Sequence, residues 1–221
     1  YMVKELFGIE MREVDMAQRE RWDLEAGVHS KAKVRKFTFI HENGNEIGTM
    51  YFDLHPREGK YGHAAHFTVR CGCSVAVDSN DYQLPIVALV CNMSPPESTT
   101  PCLSHSEVET LFHEFGHGLH SLLSRTTFQH MSGTRAAMDF VETPSHLFEN
   151  FVWDPTFLRM LGSHFQTGEA IPDRMIESLV KSRNEFRAVE IQNQVLYSKF
   201  DQACFGPLDG TNAATTQLFA K

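Results

Sequence analysis

Apolar and polar positions divide this chain near residue 100. Before that point, short runs alternate with the two-residue period of strands. After it, apolar residues recur at the three- and four-residue spacing of helices. Lys36 to Ile40 alternates loosely and Ile47 to Leu54 returns. Between them, His41-Glu42-Asn43-Gly44-Asn45-Glu46 supplies an Asn-Gly turn, so the two runs predict a β-hairpin. Ala64 to Arg70 predicts a third strand and Gln83 to Asn92 a fourth; residues 1–25 read as helix, then strand. Ser94-Pro95-Pro96-Glu97-Ser98-Thr99-Thr100-Pro101 has the composition of a linker. Beyond it the spacing predicts helices over 106–124, in a segment ending near Trp153, over 155–166, and from Pro172 to Phe200. No internal repeat and no heptad pattern is present. The pattern predicts an α+β fold, with a small antiparallel or mixed sheet in the first half and a mainly helical second half. Residues 1–100 and 101–221 are expected to be the strand-rich and helical parts of one domain.

Composition narrows the picture without deciding it. The 221 residues are 42% hydrophobic and include 17 Phe, enough for a substantial core. The net charge of −8, with no basic stripe carrying interleaved aromatics, argues against nucleic-acid binding. No apolar run approaches the ~18 residues of a membrane span. The longest, Pro85 to Val90, reads as a buried strand, and no targeting segment is visible. Cysteines at 71, 73, 91, 102 and 204 are odd in number and scattered, unlike a disulfide scaffold. Cys71-Gly72-Cys73 is the one close pair. It lacks two further soft ligands at metal-binding spacing, so reduced thiols are expected.

The chemistry is concentrated in His113-Glu114-Phe115-Gly116-His117, an H-E-x-x-H sequence. On a helix, residues i and i+4 share a face about one turn apart, so both imidazoles can ligate one zinc ion. Glu114, beside the first ligand, is then placed to take a proton from an attacking water as the general base. Ser106 and Glu109 form an S-x-x-E capping box ahead of Val108, Leu111, Phe112 and Phe115, which predicts a helix start where the motif needs one. A catalytic zinc needs a third protein ligand and an open position. Glu142, 25 positions after His117, is the best candidate: the chain can end one helix, turn through Ser132-Gly133-Thr134 and return. Two neutral imidazoles, one carboxylate and zinc leave a net positive field to polarise a carbonyl. Glu109, four residues before His113, serves either the capping box or a hydrogen bond to a ligand imidazole, and Asp139 is a second candidate for that supporting role. His120 reads as a structural or substrate-edge histidine. His63 and His66, three apart, do not share a strand face and are left out of the metal site.

His113 to His120 (H-E-F-G-H-G-L-H), followed by Ser132-Gly133-Thr134-Arg135 and Asp139 to Ser145 (D-F-V-E-T-P-S), resembles the thimet oligopeptidase family of zinc metallopeptidases. Tyr51 to Leu54, Pro56 to Lys60 and Gly62 to Ala65 match the family as well. The resemblance implies His113, His117 and Glu142 as ligands to one zinc ion and Glu114 as general base. Within the family, His66 to Arg70, Asp81 to Pro85 and Phe128 to His130 most resemble the mitochondrial intermediate peptidase branch. That branch implies hydrolysis of extended peptides, N-terminal trimming of imported precursors and a matrix location. A general oligopeptidase, cytosolic or organellar, and a zinc-binding but non-catalytic chain are the alternatives. Peptidases of this kind hold a peptide along an exposed strand edge. Gly62, His63 and Ala64, in a segment of small residues, are either part of that edge or a turn before a strand. Family members continue with a segment rich in His, Gly and Tyr that stabilises the tetrahedral intermediate. The chain is therefore expected to be an internal part of a larger enzyme, with those residues beyond Lys221 and little activity of its own.

Overall fold

The structure is a computed structural model that describes residues 1–22, 33–76, 81–95, 102–185 and 187–206. These form two compact units, Tyr1–Ala170 and Ile171–Lys221.

The first unit opens with helix α1 (Met2–Phe7), which Gly8 ends in the left-handed conformation, and strand β1 (Ile9–Val14). Strands β2 (Arg35–His41) and β3 (Glu46–Asp53) are the predicted hairpin. Gly44 adopts φ 86° in its turn, and the pair is antiparallel from Arg35 opposite Phe52 to Ile40 opposite Glu46. β4 (Ala65–Arg70) is the third predicted strand. The expected fourth strand is two. β6 (Tyr82–Gln83) pairs with β5 (Cys73–Ser74), and β7 (Ile86–Val90) joins the main sheet. Pro85, with no N–H to offer a ladder, marks the break. The main sheet has the order β1-β2-β3-β7-β4; β3 and β7 run parallel and every other pair is antiparallel. The mixed alternative within the α+β expectation is the one observed. Most of the Pro/Ser/Thr linker lies outside the described residues.

Helix α2 (His105–Leu123) lies across β3, β7 and β4. The pleat decides which residues meet it. On β3, Met50 and Phe52 turn toward α2. Tyr51, on the opposite face, packs with Met16, Val34 and Ala88, its ring 5.3 Å from Trp22. Phe115, Leu119 and Leu122 of α2 complete the main core with Phe39, Met50, Val87, Leu89 and Phe148. Gly118 has a steric reason: a Cβ there would sit 2.5 Å from Met50 Cε.

The helix start differs from expectation. The N-cap is Ser104, whose Oγ accepts from Glu107 N while the Glu107 carboxylate reaches back to Ser104 N. S-H-S-E-V-E contains two overlapping S-x-x-E frames. The earlier one wins because Ser104 is extended (φ −66°, ψ 159°), as a cap must be, whereas Ser106 is already helical. Glu107 also accepts from the N–H and hydroxyl of Ser94, tying the start of α2 to the chain leaving β7.

The loop from β3 to β4 is fastened by a buried ion cluster. Asp53, 1% exposed, accepts two bonds from Arg57 at 2.7 and 2.9 Å and one from Trp22 Nε1 at 2.9 Å. Lys60 Nζ lies 2.9 Å from its carboxylate and donates to the carbonyls of Asp53, His55 and Cys91. Burial pushes Asp53 upward, but the bonds from Arg57, Lys60 and Trp22 outweigh it and hold the carboxyl below its usual range. The loop that delivers Tyr61 to Ala64 into β4 is thereby pinned to the ends of β3 and β7.

After α2, a 3₁₀ turn (Gln129–Met131) leads to α3 (Thr143–Glu149), which has Pro144 in its first turn, and a further 3₁₀ turn (Asn150–Trp153) follows. α4 (Pro155–Leu161) ends at Gly162, short of the predicted 166. In the second unit, the single helix expected from Pro172 to Phe200 is two, α5 (Asp173–Ser182) and α6 (Arg187–Phe205), separated by turns at 183–185. Asn184 accepts a bond from Arg187, the local pairing with which Asn competes against helix. No helix among the described residues is long and apolar enough to cross a membrane.

Candidate metal centre

Two segments build the centre. On α2, His113 and His117 stand one turn apart with their rings edge to face at 4.9 Å. Glu142 is the residue preceding the first turn of α3. Its Oε2 lies 3.3 Å from His113 Nε2 and 3.1 Å from His117 Nε2. One donor atom from each of the three residues falls within 4.8 Å of the others, so the set can close on a single ion. Two imidazole nitrogens and one carboxylate oxygen, with Glu142 half exposed, form a donor set suited to zinc with a position left open.

The close approach of α3 to α2 depends on Gly116. A Cβ there would lie 2.7 Å from the Pro144 carbonyl oxygen and 2.8 Å from Ser145 Cα. The residues beside the ligands are therefore not spacers: Phe115 and Gly116, between them, fill the core and admit α3, and Gly118, just after His117, admits the sheet.

The supporting contacts fall where the sequence did not point. His113 Nδ1 meets Glu149 Oε1 at 2.6 Å, and His146 Nδ1 meets the same oxygen at 3.0 Å. A carboxylate on the far nitrogen fixes which nitrogen of a ligand histidine is free for the metal. Burial pushes Glu149 upward, but the bonds from His113 and His146 prevail and keep it low. Ser145 Oγ donates to Glu142 Oε2 at 2.8 Å. Together with the nearby histidines it overrides burial and lowers Glu142. Glu109, the residue weighed for the bond to a ligand imidazole, instead accepts from Trp153 Nε1 at 2.6 Å, and Asp139 is exposed on the turn before Glu142. A signal for Glu149 exists: it lies seven positions after Glu142, two turns along a helix and so on the same face.

Glu114 is buried on the side of α2 toward β4. Burial raises its carboxyl, opposed in part by His113 and the backbone N–H of His66. His66 is the other residue that sequence reasoning set aside. It belongs to no candidate metal group among the described residues, yet its ring centre is 6.2 Å from that of His117. Burial holds it neutral, its pKa pushed down to about 4. His120 packs its ring against Phe140 at 6.0 Å. Gly62 and Ala64 line a shallow cleft with Asn92 and the first turns of α2, and His63 sits exposed beside Tyr61.

The model of peptidase family M3 matches residues 1–220. The chain belongs to that family. Among characterised relatives of this M3 chain, the mitochondrial intermediate peptidase of Arabidopsis thaliana is 43% identical over 221 residues, all of this chain and 30% of that protein. The mitochondrial intermediate peptidase of Homo sapiens is 35% identical over 218 residues, 98% of this chain and 29% of that protein. A Saccharomyces cerevisiae protein of the same name is 36% identical over 220 residues, 91% of this chain and 28% of that protein. The chain thus spans about three-tenths of the length of these relatives.

Proposed function

We propose that this chain carries the metal-binding and proton-transfer part of a zinc-dependent metalloendopeptidase that hydrolyses extended peptides. We place its work in the mitochondrial matrix, on the N-termini of imported precursors. The observation that carries the reading is the convergence of His113 Nε2, His117 Nε2 and Glu142 Oε2 beside a buried Glu114. Family membership and the names of the relatives support the peptide substrate and the compartment.

His113, His117 and Glu142 would hold one zinc ion per chain, which supplies Lewis acidity to polarise the carbonyl to be cleaved. The chain's own residues do the rest. Glu149 keeps the His113 proton on Nδ1 and its Nε2 lone pair free. Ser145 orients Glu142. The Glu114 carboxylate takes a proton from the attacking water and delivers it to the departing amine nitrogen.

Two measurements test this. Elemental analysis of the 221-residue chain should show about one zinc per chain, with none in His113→Ala. Zinc absent from the folded chain overturns the reading. The chain grafted in place of the matching span of the Arabidopsis relative should cleave a quenched peptide, and Glu114→Gln in the graft should keep zinc while losing ~10²–10⁴-fold in rate. Retained turnover in that variant removes Glu114 as the base. Cleavage of precursors with no fixed product length would favour a general oligopeptidase.

A further inference from the structure

The metal centre leaves unused most of the three segments on which the likeness to the mitochondrial intermediate peptidase branch rests, 66–70, 81–85 and 128–130. They are far apart in sequence and meet in space. Thr68 and Arg70 at the end of β4, Gln83 of β6, and Gln129 and His130 of the turn after α2 line one cleft of 260 Å³ together with Arg135. Among the described residues no Asp or Glu lines it, although acidic residues outnumber Lys and Arg by 28 to 20 in the chain.

Each arginine is aimed by one bond and retains the rest of its fork. Arg70 Nε donates to the Leu84 carbonyl at 2.9 Å, which leaves both terminal amino groups uncommitted among the described residues. Arg135 Nη1 donates to Cys71 Sγ, which leaves Nη2. Neither pairs with a carboxylate among the described residues. Two guanidinium groups with open N–H donors, and no counter-charge among the described residues, form a receptor for a planar anion, and a carboxylate fits that fork. The position matters as well. Among the described residues β4 is the last strand of its sheet, paired only with β7. His66 on β4 lies beside His117, and Arg70 is four positions further on. A peptide paired along that edge advances ~3.3 Å per residue, so the cleft lies about four peptide residues from the metal centre.

We infer that this cleft is a carboxylate-binding subsite of the peptide track, in which Arg70 and Arg135 take an acidic side chain or a peptide C-terminus. The inference rests on the peptidase reading for its substrate, but its test does not require turnover. Two sources of the same chemistry are separable. Acetylated hexapeptides are compared that differ only by Glu or Gln at one scanned position, or only by a free or amidated C-terminus. Binding to the zinc-loaded 221-residue chain is measured by titration calorimetry.

The expected result is tighter binding of the carboxylate member of one pair by ~10-fold or more, as charge-assisted bonds give. The pair that shows it identifies the source. The preference should weaken with added salt. It should collapse to within about two-fold in Arg70→Gln and in Arg135→Gln. Arg70→Lys and Arg135→Lys keep the charge and lose the fork, so they should retain only part of the preference. They decide the matter if a Gln variant fails to fold. A wild-type chain that binds acid and amide equally overturns the proposal, as does a preference that survives both Gln variants. A chain that lacks zinc but keeps the arginine-dependent preference would sink the metalloenzyme reading and leave this one standing.

Discussion

The metal centre and the basic cleft are assembled in opposite ways. The centre takes its converging donors from two segments, His113 to His117 and Glu142, and helix geometry alone brings the first two together. The cleft draws on four segments, around residues 68–70, 83, 129–130 and 135, and none of them suggests the others. On the proposed reading, a local motif carries the chemistry, while the fold gathers what would select among peptides. The first region should fail with the loss of any one donor; the second should fail with the loss of either arginine and tolerate changes in its uncharged lining.

The sharpest way to break that contrast is His117→Ala. Its Nε2 is one of only three converging donors, so zinc should fall from about one per chain to below ~0.1 by elemental analysis. The carboxylate preference of the cleft should persist in the same variant. If both are lost together, the two regions are one site.

Glu149→Gln asks how far the centre extends. The amide keeps the shape of the contact at 2.6 Å but no longer fixes the His113 tautomer by charge. Zinc affinity, measured by chelator competition, should weaken ~10–100-fold. An unchanged affinity would make Glu149 a packing residue only. Gly116→Ala probes the join between the two segments. Its Cβ would press on the α3 backbone, which cannot rotate away as a side chain can. A loss of ~1–3 kcal/mol in urea unfolding is expected, with weaker zinc binding because Glu142 and Glu149 move with α3. Stability equal to wild type would show that α3 is loosely held.

Legibility in the sequence follows the same division. The hairpin, the third strand and the helix bearing the motif were readable because their signals are local: alternation, Asn43-Gly44, and the spacing from His113 to His117. The approach of Glu142 to the two histidines was readable because the proposed zinc site would demand a third ligand. Glu149 was not, since a glutamate on a short amphipathic helix looks like surface until α3 is seen to lie against α2. His66 was set aside by an argument about strand faces, although His63 lies ahead of β4 and not on it. That argument concerned His63 and could not reveal that β4 runs beside His117. The break at Pro85 was written in the sequence and underweighted, as an apolar run of that length suggested one strand. The cap was misplaced by two residues because S-H-S-E-V-E offers two equivalent boxes, and backbone conformation at Ser104, not composition, chooses between them.

That cap gives the smallest effect and the one with a definite pH dependence. The Glu107 carboxylate accepts from the N–H and hydroxyl of both Ser104 and Ser94. The bond from Ser104 N leads in drawing its pKa from 4.5 to about 2, against a smaller upward push from burial. A carboxyl lowered in the folded state binds its proton more readily when unfolded. Its contribution is therefore complete above about pH 4.5 and drains away as pH falls toward about 2. Glu107→Gln should cost ~0.3–1.5 kcal/mol at neutral pH, read from urea midpoints. Other carboxylates also titrate in this window, so the informative quantity is the difference between wild type and variant. That difference should shrink steadily as pH falls from about 4.5 toward about 2, because the unfolded chain then takes up a proton that folded Glu107 still resists. A gap that stays constant across the range would mean that Glu107 holds the start of α2 by shape, and that its charge contributes nothing.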